Sequence, residues 1–263
     1  MNKTIKMVVT DMDGTLLNSN REMHPETMSV IDKLIDKGVL FVVASARQYF
    51  NLHNRFKNRD DIIYIAENGS YINKDGNLFR FRGMDFQMVD RLTEIVDGID
   101  GAYLVLCGKE SAYIKDMNEV SSPYFNEYYD KIEIVDNFQD VTDEICKISI
   151  LDLNGTEKYV YPLLNEFYED YKVLVSTHEW LDIFSWKTNK GAALEILQQR
   201  LDIKKEETMV FGDNLNDLEM YRCAIESYAM ENSHEEIKKV AKHIIGSNDE
   251  FSVITELKKV FDL

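Results

Sequence analysis

Three short apolar runs, each ending at a polar loop and each separated from the next by a helical pattern, constrain this chain more than any other feature. Residues 5–9 (IKMVV), 39–45 (VLFVVAS) and 62–66 (IIYIA) are apolar almost throughout and largely β-branched, so they read as strands buried on both faces. Between the first two, Pro25 opens a segment with Met28, Ile31, Leu34 and Ile35 on one face, and Gly38 closes it. Those are the start and stop signals of an amphipathic helix. A polar helical stretch from Arg47 to Phe56 leads to the third run. Strand, helix, strand, helix, strand implies a parallel sheet with right-handed crossovers, hence an α/β fold.

After the third strand, Asn68-Gly69 and Asp75-Gly76 bracket SYIN, and NLFRFR follows, a pattern of turns joining short antiparallel strands. The character then changes. Residues 84–186 hold 22 acidic and 7 basic side chains, a net of −15 out of −17 for the chain, which leaves −2 for the two flanks together. A shift this abrupt marks an inserted domain. Helical patterns at 86–97 and 156–170 mix there with strand-like runs (AYLVLC, KISILDL, KVLVS, LDIFSW), so the insertion reads as α+β. From Asn189 the βα rhythm returns: a helix over 191–200, a strand at 208–212, a helix from Leu215, a short strand at 228–230 and two terminal helices. The expected division is therefore 1–83 with 187–263 as one core, and 84–186 as the insertion.

The net charge also excludes partners. Nucleic-acid binding rests on basic patches, and a net charge of −17 argues against it. No stretch is long and apolar enough for a membrane span, and the start of the chain lacks the apolar core of a secretory signal. The three cysteines, Cys107, Cys146 and Cys223, are widely spaced and outside any CxxC pattern, so they read as free thiols of a cytoplasmic protein. The five histidines show no ligand spacing.

Chemistry concentrates at the strand ends, where ligands bind in an open α/β sheet. Directly after the first strand stands Asp11-Met-Asp13-Gly14-Thr15. Two carboxylates two residues apart can divide the work, one as nucleophile toward phosphorus and the other as general acid and base, while Gly14 permits a sharp reversal of the chain. An isolated DxDG is as readily a solvated turn. A second acidic loop, Gly212-Asp213-Asn214-Leu215-Asn216-Asp217, follows the strand at 208–212. Asp213 facing Asp11 would make an oxygen-rich site suited to Mg²⁺, with Asp217 one helical turn on; the plain alternative is an acidic helix cap. Ser45 ends the second strand with a hydroxyl, and Lys190 before Gly191 offers an ammonium, both able to meet phosphoryl oxygens. Singly, each is ordinary. Lys187 competes with Lys190 for that role, and the glycine after Lys190 favours the latter.

With these motifs in order, the chain resembles the haloacid dehalogenase superfamily of phosphatases. DMDGTLLNS, the serine in VVASAR, the lysine in NKG and GDNLNDLEM follow its four-motif pattern. The long insertion is similar to the α/β cap of the Cof-type (class IIB) branch. Ser45-Ala46-Arg47 departs from the serine-glycine-arginine often found there, and Asp249-Glu250-Phe251 from a C-terminal aspartate-glycine-valine. The resemblance implies Asp11 as nucleophile, Asp13 as general acid and base, and Ser45, Lys190, Asn216 and Gly14 around the phosphate. It also implies Mg²⁺ held by Asp11, Asp213 and the carbonyl of Asp13, with Asp217 in support.

The expectation is a Rossmann-like parallel-sheet core carrying an α+β cap, hydrolysing a small phosphomonoester such as a sugar phosphate, nucleotide or cofactor phosphate through an aspartyl-phosphate. A sugar phosphomutase would use the same paired aspartates with another acceptor. A phosphate-sensing receiver module would also gather aspartates, a hydroxyl and a lysine around Mg²⁺, but needs neither the second aspartate nor the insertion. The aromatic residues Tyr124, Phe125, Tyr128 and Tyr129 could stack on a substrate ring, though their helical spacing points to packing.

Overall fold

The computed structural model describes residues 5–99 and 101–263. They form two compact units. One comprises Met1–Ala46 (from residue 5 as described), Phe56–Phe79 and Asn189–Leu263; the other comprises Arg47–Arg55 and Arg80–Thr188.

Along the chain come β1 (Met7–Thr10), α1 (Thr27–Asp36), β2 (Leu40–Ala44), α2 (Tyr49–Arg55), β3 (Ile63–Ala66), β4 (Tyr71–Lys74) and β5 (Asn77–Phe81). The insertion contributes α3 (Phe86–Asp97), β6 (Ala102–Gly108), β7 (Ala112–Ile114), α4 (Ser122–Tyr128), β8 (Ile132–Ile134), β9 (Ile145–Asp152), α5 (Thr156–Tyr159), β10 (Tyr171–Val175) and β11 (Trp180–Ser185). The chain ends with α6 (Lys190–Leu201), β12 (Thr208–Gly212), α7 (Leu218–Tyr221), β13 (Glu226–Ala229), α8 (Glu235–Val240), β14 (His243–Ile244) and α9 (Ser252–Phe261).

The first unit is built on an eight-stranded sheet in the order β14-β13-β12-β1-β2-β3-β4-β5. Pairing is parallel from β14 to β3 and turns antiparallel at β4. The uniformly apolar runs are central strands: every residue of β1, β3 and β12 is buried. Helix α1 buries Thr27, Val30, Ile31 and Leu34, while Met28 and Ile35 lie at the margin, and Gly38 ends the helix with φ +76°. The Asp75-Gly76 turn has positive φ at both residues (54° and 70°), the backbone that a two-residue hairpin prefers. Thr10 pairs with Phe211 on one side and Val43 on the other, so the residues after β1, β12 and β2 start level with one another.

The second unit holds a six-stranded sheet in the order β10-β11-β9-β6-β7-β8, antiparallel except for the parallel β7–β8 pair. One face is apolar, with Leu104, Leu106, Ile148, Ile150, Leu181 and Ile183 packed against Val89, Leu92 and Val96 of α3. On the other face Phe125, Tyr128 and Tyr129 set their rings 5.8–6.1 Å from that of Trp180, so the aromatic group is packing. Segment 47–55 joins this unit through Arg47 and Arg55 on Glu127, Gln48 on Lys131 and Asn51 on Asp130. The helical pattern over 156–170 is interrupted: α5 stops at Tyr159, and a 3₁₀ stretch over Tyr161–Phe167 begins around Pro162, whose missing N–H cannot extend the α-helical ladder.

Candidate active site

Asp11 is the first residue past β1, and its backbone N–H donates to the Phe211 carbonyl at 3.0 Å, which carries the sheet register one residue into the loop. Beyond it the chain reverses tightly, with the Thr15 and Leu17 N–H groups both donating to the Met12 carbonyl. Gly14 sits at φ +80°, and a Cβ there would lie 2.4 Å from Asp213 Oδ2. Only glycine lets this loop press against the acidic loop after β12. Thr15 Oγ1 donates to Asp213 Oδ1 at 2.8 Å, locking the two loops together. Asp13 is half-buried, and its backbone bridges to Leu17.

The loop after β12 is organised by Asp217, which uses both its oxygens. Oδ2 accepts from the backbone N–H groups of Asp213 (3.0 Å) and Asn214 (3.1 Å), and Oδ1 accepts from Lys190 Nζ at 2.6 Å. Lys190 is the first residue of α6, capped by Asn189, whose side chain accepts from the Ala192 N–H at 2.7 Å. Its ammonium reaches Asp11 Oδ1 at 2.5 Å and is wholly buried, whereas Lys187 is exposed. The structure thus places Lys190 at the carboxylates and leaves Lys187 outside.

Asp11, Asp213 and Asp217 offer oxygens within 4.8 Å of one another, and among the described residues they are the group that could hold a metal ion. Two buried carboxylates, Asp11 and Asp217, share one ammonium, and the half-buried Asp213 lies beside them. Burial lifts the Asp11 carboxyl well above its ordinary range; Lys190 pulls it down, and Asp217 and Asp213 push it up. Burial likewise pushes Asp213 up to about 7, with Asp217 adding to the rise and Thr15 and Lys190 opposing it. For Lys190, burial favours the neutral amine, but Asp11 and Asp217 outweigh it and hold the ammonium above its usual range. The cluster is short of positive charge, and all its donors are hard oxygens, so its residues fit a small divalent cation.

Ser45 is buried at the end of β2, where its N–H donates to the Ile65 carbonyl at 2.8 Å. Asn216 donates from Nδ2 to Asn68 Oδ1 at 3.2 Å. Asn68 itself reads in the sequence as half of a turn, and its place beside Asn216 escapes that reading. The signal available was positional, since Asn68 also follows a buried strand of the same sheet. Asn232 is a second residue the motifs do not mark: its Nδ2 donates to the Gly14 carbonyl at 2.9 Å.

A family model described as haloacid dehalogenase-like hydrolase matches residues 8–257. An Escherichia coli protein named 5-amino-6-(5-phospho-D-ribitylamino)uracil phosphatase YbjI is 31% identical over 264 residues, covering 98% of this chain and 96% of its own. Phosphatase YwpJ of Bacillus subtilis is 24% identical over 283 residues, covering 97% of this chain and 99% of its own. Among solved structures, a haloacid dehalogenase-like hydrolase from Bacteroides thetaiotaomicron superimposes with a TM-score of 0.87 at 23% identity, over 98% of this chain and 100% of that one. No helix among the described residues is long and apolar enough to cross a membrane.

Proposed function

The chain belongs to the haloacid dehalogenase-like hydrolases and is an enzyme of that phosphatase class, and from this we propose that it hydrolyses a small phosphomonoester through a phosphoryl group carried on Asp11. The observation that supports this reading most is the buried Lys190 ammonium shared by Asp11 and Asp217, with Asp213 beside them. Lys190 holds Oδ1 of Asp11, orients the carboxylate and opposes the burial that favours its acid form.

In this scheme Asp11 attacks phosphorus, and Asp13 protonates the departing ester oxygen. Asp13 then takes a proton from the water that attacks the aspartyl-phosphate, which returns Asp11 and releases phosphate. Ser45, Asn216 and the chain reversal at Gly14 receive the phosphoryl oxygens. Asp11 and Asp213 would hold Mg²⁺, with the Asp13 carbonyl as a further ligand; Asp217, whose oxygens are already engaged, keeps Lys190 and the 213–214 backbone in place. The ion supplies positive charge against the carboxylates and the phosphoryl group, where electrostatics carries most of the catalysis.

In this proposal residues 1–83 and 187–263 are the catalytic core and 84–186 the cap that selects the leaving group, although segments 47–55, 80–83 and 187–188 group with the second compact unit. The relative named for a phosphorylated ribitylaminouracil supports a small, polar phosphorylated metabolite as substrate. Asp11→Asn removes the nucleophile and one cation ligand together, so released phosphate should fall to background while the melting temperature stays at or above that of the parent. Turnover retained in that variant would remove Asp11 from the mechanism.

A further inference from the structure

The loop after β3 meets the residues that follow β2 and β12 and the start of α6. Glu67, Asn68 and Gly69 have φ of +50°, +54° and +98°, three consecutive left-handed residues. Such runs are costly and gather at functional sites. Asn68 is 2% exposed. Its N–H donates to the Ser45 carbonyl at 3.0 Å, and its Oδ1 accepts from Asn216 at 3.2 Å. A Cβ on Gly69 would stand 2.4 Å from the Asn189 carbonyl and 3.2 Å from the Lys190 nitrogen, so the same loop presses on the start of α6. With its oxygen turned to Asn216, the Asn68 amide leaves Nδ2 buried without a protein acceptor. A buried donor left in that state calls for a functional explanation.

We propose that Asn68 is a positioning residue for phosphate capture, aiming Asn216 through its side chain and Ser45 through its backbone. The residue type follows from the geometry: asparagine tolerates the left-handed backbone and supplies the acceptor that glycine, the other residue at ease there, lacks. The inference rests on the reading that Asn216 and Ser45 meet the substrate phosphate.

A double-mutant cycle tests it, read as the affinity of inorganic phosphate, which needs no turnover and stays interpretable even if Asp11 proves not to be the nucleophile. Asn216→Ala should weaken phosphate binding by roughly tenfold in the parent, the loss of one hydrogen bond to a charged group. In the N68D background, which keeps an acceptor for Asn216, the same step should cost a similar factor. In the N68G background, which keeps the backbone and loses the acceptor, it should cost almost nothing. An equal penalty in all three backgrounds, or no penalty in the parent, overturns the proposal. If N68G does not fold, the side-chain amide resonance of Asn216, assigned by its disappearance in N216A, carries the test. It should move downfield in N68D as its acceptor becomes charged, and an unmoved resonance overturns the proposal.

Discussion

At the scale of single residues, the site is a contest between burial and charge. Asp213 has an ordinary carboxyl at 3.8 when unfolded and is pushed up to about 7 by burial and then by Asp217. The folded chain therefore holds this proton more tightly than the unfolded chain. The stability it contributes is fully present below about 4 and is lost as pH rises through about 7. In chelator, the melting temperature should fall between pH 5 and pH 8, and Mg²⁺ should recover most of the loss at pH 8 by replacing the proton with a cation. A melting temperature that rises with pH over that window, or one indifferent to Mg²⁺, contradicts this account of the cluster.

At the scale of elements, the proposed catalytic groups are held by the ends of strands and the first turn of one helix. Lys190 is the first residue of α6, and the cap on that helix is the Asn189 side chain. Asn189→Ala should cost about 1 kcal/mol of stability. It should also lower kcat several-fold by loosening the turn that aims Lys190, and Asn189→Asp should restore both. A stability loss with kcat unchanged would separate the cap from the site. Much of this layer is legible in the sequence, because β1, β2, β3 and β12 are continuous apolar runs that stop where the chemistry begins. The three-residue strands β7 and β8 escaped, since three residues establish no periodicity, as did β14, which has two. Asn68 escaped for another reason: Asn-Gly is a turn signal wherever it occurs, and only the neighbouring strands reveal that this turn leans on Ser45 and Asn216. Likewise, nothing local in 47–55 announces that Arg47 and Arg55 share Glu127, 72 or more residues away.

At the scale of the whole molecule, charge is divided unevenly, with −15 of the net −17 in residues 84–186. If part of that surplus faces arriving substrate, it repels phosphate dianions over a Debye length of about 8–10 Å at physiological salt. Moderate salt should then raise kcat/KM at fixed free Mg²⁺, more for a nucleoside triphosphate than for a compact dianion. Equal or uniformly negative slopes would assign the acids to solubility instead. The proposed function turns on the covalent role of Asp11, and one measurement bears on it directly. Asp13→Asn removes the acid and base but spares the nucleophile, so with a good leaving group the first step should proceed and the second should stall. Acid quench of that variant during turnover, followed by peptide mass spectrometry, should find one phosphoryl group on Asp11; a phosphoryl group on another residue, or none at any time point, would contradict the account.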